Sequence, residues 1–579
     1  MQTRLVRYGD ENEAMMEAGQ QALSCKAVAS KPVVDGVIGP LGPANTTETT
    51  LNDANMDDWI EGRFHTQCGA SLMKELLIRP CGSGEEERLQ ARQKIISQPH
   101  LHLNRLVQLL EEAKTLEKDA LWVLEAPELK KTWPLPFLFP TMFGLKQLNN
   151  VPLFHEAYHF CRLIASPALT ILYPIGMILG PWIYLRTKMG LNFSFKAYIM
   201  FAYRMIRSLK GGAAIKVWSS LAVYCALYLY SIAQVVDLAR MVGAARSTLV
   251  ERHKKVQRLL SIADSIKDMC GGNDGVAAFA NAPLGPACAP MAITFLGVWQ
   301  WWGHPGVIQS IRKALQVVAV GDVVAVGAES LQSNAANWCV VNWSADKVKA
   351  WPRFYSMCHP ALERSSFGNP AALDKNIILT GPNAAGKTTY CRGLLANVLL
   401  AQTLGIACAR RATMGSLFGG IMSFMRISDE TGKASLFEAE VARCVEMWKL
   451  AESRGSERVF MVLDEPMHAT PPTEGAAAAM AFMKGLANMG NVRLIATTHY
   501  AAITSLAHEE PHNFINISME AVLCRGKKIQ FPYSLRKGPS YQSIALELMH
   551  EQGAFPNAFI QDALKIKEKI GAREIVATP

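Results

Sequence analysis

The stretch NIILTGPNAAGKTTYCRGLLANVLL holds the residues best suited to chemistry. Gly381 to Thr388 fits G-x-x-x-x-G-K-[ST], preceded by a β-branched run at Ile377–Thr380 and followed by a helical pattern. Strand, glycine-rich loop and helix in that order let successive backbone N–H groups turn inward around phosphate oxygens, with the positive end of the helix dipole behind them. Lys387 would set a point charge on the β- and γ-phosphates, and the Thr388 hydroxyl would face Mg²⁺. Gly381, Pro382, Asn383, Ala384, Ala385, Gly386, Lys387, Thr388 and Thr389 form the expected contact set for ATP.

Two further strand signals end in reactive groups. RVFMVLDEP places Asp464 at a strand tip, where it suits an outer-shell hold on Mg²⁺, and Glu465 beside it, where a carboxylate can polarise an attacking water. An acidic strand end is often merely solvated, but after a P-loop the pair reads as the metal and base positions of a nucleotide hydrolase. NVRLIATTHY ends in His499, placed to sense a γ-phosphate from a neighbouring strand. Phosphoryl transfer asks for positioning and charge neutralisation more than for covalent help, so these groups would suffice for ATP hydrolysis, the part usually missing being an extra donor supplied in trans. Between the loop and the acidic strand, RISDETGKASLFEAEVARCVEMWKLAE reads as a short polar loop followed by a helix starting near Ser435.

These groups need a parallel sheet to hold them, and the rest of the chain is consistent with one. With 579 residues, about three or four domains are expected. Half the residues are apolar and 19% are charged, which excludes general disorder and leans toward a heavily buried or membrane-touching protein. The net charge of +10 is a mild bias toward polyanions at this length. Thirteen cysteines without a C-x-x-C pair fit reduced intracellular thiols, not a disulfide framework or a zinc site. The N-terminal residues carry no apolar signal-peptide core, so the sequence predicts an intracellular protein. Apolar spacings of three and four predict helices from 68 to 125 and again from 246 to 330. From about 351, short apolar strands alternate with helices, as in an α/β domain with a mostly parallel sheet.

At this point the residues resemble the MutS family of ABC-type ATPases. The resemblance rests on TGPNAAGKTTY, SLFEAEVA, LDEP…T…EG at 463–475 and ATTHY at 496–500, with MCHPALERSSFGNP upstream. It extends into KKIQFPYSLRKGPSYQSIALELMHEQGAFPNAFIQDALKI, similar to the tail that packs the family's dimer. TQCGASLMKELLIRP with ARQKII is similar to the opening of the family's helical lever domain. The resemblance implies an ATP-gated homodimer acting on mismatched or branched DNA in repair or recombination. Each ATP, with its Mg²⁺, would be completed by the partner subunit. It makes Glu465, His499 and Ser435 the catalytic candidates, Thr388 and Asp464 the metal ligands, and Phe367 the ring that stacks on adenine. Where the family has a Gly-Arg-Gly-Thr turn, this chain has Met467, His468, Ala469 and Thr470, and no F-x-E element for wedging into a mispair precedes the helical region.

The implied fold class is an α/β P-loop ATPase domain of ABC type, preceded by an all-α lever-like domain carrying an apolar helical hairpin. The expected division is an appendage at 1–60, lever at 61–160, apolar hairpin with basic loop at 161–245, returning lever at 246–350, ATPase at 351–530 and dimerisation tail at 531–579. Residues 163–185 and 217–236, about 23 and 20 without a charge, each reach the roughly 20 that span a bilayer. Tyr173, Trp182, Tyr184 and Trp218 lie near their ends, and Pro167, Pro174 and Pro181 recur every seven residues. Between them, RTKMGLNFSFKAYIMFAYRMIRSLKGGAAIK holds seven Lys/Arg and no acid, against the positive-inside tendency if both runs cross a membrane with the ATPase in the cytoplasm. Three readings stay open: membrane contact, including a hairpin in the interface with its basic loop on anionic headgroups; a shortened clamp touching DNA; and a buried helix pair with neither role. A membrane scaffold ATPase that has lost DNA binding is a further alternative, whereas two short runs do not build a transport pathway.

Overall fold

The computed structural model describes residues 37, 44–98, 102–132, 151–208, 210–280, 301, 304–332, 338–344, 346, 350–362, 368–425, 436–523, 529–553 and 555–576. The chain forms two compact units. Among the described residues, the first lies within 116–260 and 301–312, and the second within 37–115, 261–280 and 313–576.

In the second unit the strands are β1 (Trp338–Trp343), β2 (Arg353–Met357), β3 (Asn369–Ala372), β4 (Asn376–Thr380), β5 (Ile406–Met414), β6 (Phe418–Phe424), β7 (Arg458–Asp464), β8 (Val492–Thr497), β9 (Phe514–Met519), β10 (Val522–Leu523), β11 (Ile529–Gln530) and β12 (Leu535–Lys537). Six of them form the main sheet in the order β12-β9-β4-β8-β7-β6. β9, β4, β8, β7 and β6 run parallel, and β12 closes one edge antiparallel. β4, β7 and β8 read as near-continuous apolar runs because helices cover both faces of a parallel sheet. A second sheet, β1-β5-β2-β3, takes its first strand from residues ahead of 351, and β10 and β11 form a small ribbon.

The helix Lys387–Thr403 is buried along nearly its whole length, packed against β7 and β8 of the main sheet and β2 and β5 of the second. Helices Leu436–Ser453 and Pro472–Asn488 cover the main sheet through Met447, Met483 and Leu486, which join Met461, Leu463 and Leu494 in one apolar cluster. Burial of large side chains at about 1.5–3 kcal/mol each drives this layering.

Residues 44–60, read from sequence as part of an appendage, fold onto the main sheet. The Asn45 carbonyl accepts from Ile421 N (2.9 Å), Thr50 Oγ1 accepts from Ser423 N (3.3 Å), and the Ser423 hydroxyl donates to Asp53 (2.5 Å). The physical reason is the exposed edge of β6, whose unpaired groups need covering.

Helices Gln67–Ile78 and Glu86–Ile96 dock on the far end of the P-loop helix. Arg92, 1% exposed, donates from Nε to Ala278 O (2.7 Å) and from Nη1 to Thr403 O (2.8 Å). Asp322, fully buried within the helix Pro305–Gln332, accepts from the backbone N–H groups of His65 and Thr66 and from the Thr66 hydroxyl, fixing the start of Gln67–Ile78.

The first unit is helical. Its apolar runs fold as the helix Ser166–Thr187 and as the early part of the helix Gly212–Met269, with Phe195–Ser208 between them. Deeper in the unit, buried Arg252 lies 3.3 Å from Asp119 and over the Trp122 ring at 3.8 Å.

Candidate functional site

The P-loop geometry follows from its glycines. Gly381 has φ +144°, and a Cβ there would stand 2.1 Å from the Met519 carbonyl oxygen. Gly386, φ +96°, caps the helix Lys387–Thr403 in the left-handed region, with the Tyr533 ring close enough that a Cβ would meet it at 3.0 Å. Between them the exposed Asn383 and Ala384 form the outer arc of the turn, and Ala385 N donates to Pro382 O (3.3 Å).

Lys387 is 5% exposed and donates from Nζ to the carbonyls of Gly381 (2.8 Å) and Pro382 (3.2 Å), so the ammonium is held inside the loop it serves. The Thr388 hydroxyl donates to Asp464 Oδ2 (3.1 Å), while Thr389 on the next position is exposed. Asp464, at the end of β7, also accepts from the Thr497 hydroxyl at 2.5 Å. The same hydroxyl oxygen accepts from Glu465 N (3.0 Å). The register pairs Asp464 with Thr497, so this bridge is built by the sheet.

Glu465 adopts φ +53°, which few side chains tolerate. The turn carries its carboxylate toward the next strand end, where Oε1 lies 2.6 Å from His499 Nε2. Glu465 is nearly buried and His499 more than a third exposed, so the pair offers an acceptor at the floor and an imidazole at the mouth. A cavity of about 360 Å³ opens beside them, lined by Asn383, His499, Tyr500, Ser540 and Tyr541 among others.

Lys387, Thr388, Asp464, Glu465 and His499 therefore come together at the carboxyl ends of adjacent parallel strands, where open α/β sheets bind ligands. The cradle that a Cβ would fill, and the hydroxyl and carboxylate set of Thr388 and Asp464, suit a nucleoside triphosphate with a hard cation that keeps most of its ligands as water and phosphate. Phe367 and Ser435 lie outside the described residues. Thr497 was missed from sequence, although the double Thr in ATTHY was the available signal. Tyr533, on the far side of Gly386, was also missed; only its place in the loop just ahead of β12, the strand that closes the sheet edge, brings it there.

The turn after the acidic pair is held within the chain. Met467 takes φ +61°, Tyr500 Oη donates to Met467 O (3.2 Å), and Ala469 N donates to buried Glu440 on the helix Leu436–Ser453 (3.4 Å). Burial pushes the Glu440 carboxyl above its usual range, against the pull of that backbone bond.

Residues 377–571 match the model of MutS domain V. The DNA mismatch repair protein MutS of Listeria monocytogenes is 27% identical over 222 residues, covering 37% of this chain and 25% of that protein. The DNA mismatch repair protein MutS of Leuconostoc mesenteroides is 29% identical over 210 residues, 35% of this chain and 24% of that one. The chain thus spans about a quarter of the length of the curated relatives it matches.

Proposed function

The chain belongs to the MutS family through residues 377–571, and from that premise we propose that it is an ATP-hydrolysing dimeric switch that handles mismatched or branched DNA. The observation that carries the ATPase reading is the joining of the P-loop to the acidic strand end by the Thr388–Asp464 bond, with Glu465 and His499 paired next to it.

In this reading the loop from Gly381 to Thr389 wraps the phosphates and Lys387 exchanges its internal carbonyl partners for phosphate oxygens. Thr388 and Asp464 hold Mg²⁺, which supplies charge neutralisation on the phosphates. Glu465 orients and polarises the attacking water, and His499 holds the Glu465 carboxylate and faces the γ-phosphate. Phe367 stacks on the adenine. Ser435, which directly precedes Leu436 in the sequence, completes the site of a second subunit in a homodimer packed through 531–579. The family supplies DNA as the partner, and the relatives' printed role in mismatch repair supports it.

Attachment to a membrane through 163–185 and 217–236, with the ATPase on the cytoplasmic side, belongs to the same proposal. Its support is the exposure of both runs, whose apolar windows have none of their residues buried. Purified full-length protein should hydrolyse ATP only with a divalent cation, and should shift from monomer to dimer on ATP. Failure to bind ATP removes the reading. Failure to bind homoduplex, mismatched or four-way DNA at about 150 mM salt removes the DNA part alone.

A further inference from the structure

Three helices among the described residues are long and apolar enough to cross a bilayer, and their surroundings differ sharply. Pro305–Gln332 has 83% of its apolar window buried in protein, whereas Ser166–Thr187 and Ala214–Asp237 have 0%. At 22 and 24 residues the latter two extend about 33 and 36 Å, enough for a hydrocarbon core of roughly 30 Å. They are apolar all round, and most of the exposed large hydrophobic side chains among the described residues lie between 151 and 230.

The pair also settles its own backbone. Pro174 has no N–H to offer the carbonyl of Thr170 four residues back, and Tyr228 of the opposite helix donates its hydroxyl to that oxygen at 2.7 Å. In water such a carbonyl needs no cross-helix donor; in hydrocarbon it does.

The segment joining them has a different character. Along Phe195–Ser208, the residues Phe195, Ile199, Ala202 and Ile206 recur at helical spacing on one side, and Lys196, Arg204 and Arg207 stand on the other. Its start is tied to the first apolar helix: Trp182 Nε1 donates to Phe193 O (3.2 Å), the Trp182 and Phe195 rings meet edge to face at 5.4 Å, and Arg186 lies over Trp182 at 5.6 Å. An amphipathic helix fastened to the end of an all-apolar pair has the form of an interfacial element.

We propose that the helix Phe195–Ser208 binds anionic phospholipid headgroups, its Phe195–Ile206 stripe toward the acyl chains and Lys196, Arg204 and Arg207 on the lipid phosphates. The inference rests on the membrane attachment proposed above. Duplex DNA could engage the same cations but would leave the apolar stripe in water, so the lipid surface accounts for both faces.

The test is competition of the full-length chain, purified in detergent, between neutral phosphatidylcholine vesicles and vesicles containing phosphatidylglycerol. Wild type should prefer the anionic vesicles on the order of a hundredfold at low salt, and the triple variant Lys196→Gln, Arg204→Gln, Arg207→Gln should lose that preference while keeping its association with neutral vesicles. ATP hydrolysis at the wild-type rate shows that the variant is folded. An unchanged anionic preference in the variant overturns the inference and leaves membrane attachment standing. Wild type that joins neither vesicle removes both. A variant that loses duplex DNA affinity and keeps its lipid preference assigns the cations to nucleic acid and overturns the inference.

Discussion

Oε1 of Glu465 lies 2.6 Å from Nε2 of His499, and the two residues stand one and two positions beyond the paired strand ends Asp464 and Thr497. The sheet register therefore sets their separation. Glu465 reaches this position at φ +53°, a conformation that costs a non-glycine residue on the order of 1 kcal/mol or more. Its N–H is held by both the carbonyl and the hydroxyl of Thr497, which offsets the strain.

If Glu465 polarises the attacking water, Glu465→Gln should lower the rate of ATP hydrolysis by about 10²–10⁴-fold while leaving nucleotide affinity near wild type. The glutamine keeps the shape and loses the negative charge. Phosphate release and fluorescent-nucleotide binding separate the two quantities. Hydrolysis near the wild-type rate would remove Glu465 as the base. His499→Ala, which leaves the carboxylate in place, should give a smaller loss, about tenfold to a hundredfold.

Lys387→Ala should weaken ATP binding on the order of a hundredfold, because a charge-assisted contact to phosphate is lost and the loop loses the ammonium that ties the carbonyls of Gly381 and Pro382. Gly381→Ala should weaken binding too, for a separate reason: its Cβ collides with the Met519 carbonyl, a backbone atom that cannot swing away. Circular dichroism close to wild type with nucleotide affinity lowered to that extent is the expected result for Lys387→Ala. Normal ATP affinity in either variant would contradict the loop assignment.

The chemistry of the site was more legible in the sequence than the device that assembles it. G-x-x-x-x-G-K-T and a strand ending in Asp-Glu are local patterns, each readable within a dozen residues. That β8 lies between β4 and β7, so that Thr497 bridges Asp464 and Glu465, is a property of sheet order, which periodicity does not encode. Residues 44–60 look weakly patterned because their partner is the edge of β6, distant in the chain. The apolar runs were legible as helices of spanning length, but the relation of Tyr228 to Thr170 depends on how the two pack. Phe367 and Ser435 were named by resemblance alone and lie outside the described residues.

Arg92 links the helix Glu86–Ile96 to the carbonyl end of the P-loop helix at Thr403 and to Ala278, with its guanidinium over the Phe279 ring at 5.5 Å. Burial lowers its pKa to about 10, so it stays charged at neutral pH. Arg92→Met should cost about 2–5 kcal/mol, since two buried carbonyls lose a charged donor. Chemical denaturation measures the loss. A change below about 0.5 kcal/mol would mean that water replaces the guanidinium at both carbonyls.

The Asp322–His65 contact makes a prediction whose sign with pH can be fixed in advance. Asp322 accepts from His65 Nδ1 at 3.0 Å, and that hydrogen bond raises the His65 pKa above its ordinary value against the opposing effect of burial; Glu111 and Glu329 add to the rise. A histidine with a raised folded pKa contributes stability that is fully present below about pH 6.5 and is lost as pH rises through the folded value. His253 and His359 are shifted down by burial, so their contributions run the other way, present above about pH 6.5 and lost on acidification. Asp322→Asn removes only the first component, and it weakens the acceptor that holds the N–H groups of His65 and Thr66, at a cost of about 1–3 kcal/mol. The gap in melting temperature between wild type and Asp322→Asn should therefore be widest near pH 5.5 and narrow toward pH 8. A gap independent of pH would show that Asp322 serves only to hold the N–H groups of His65 and Thr66 ahead of the helix Gln67–Ile78 and holds no proton on His65.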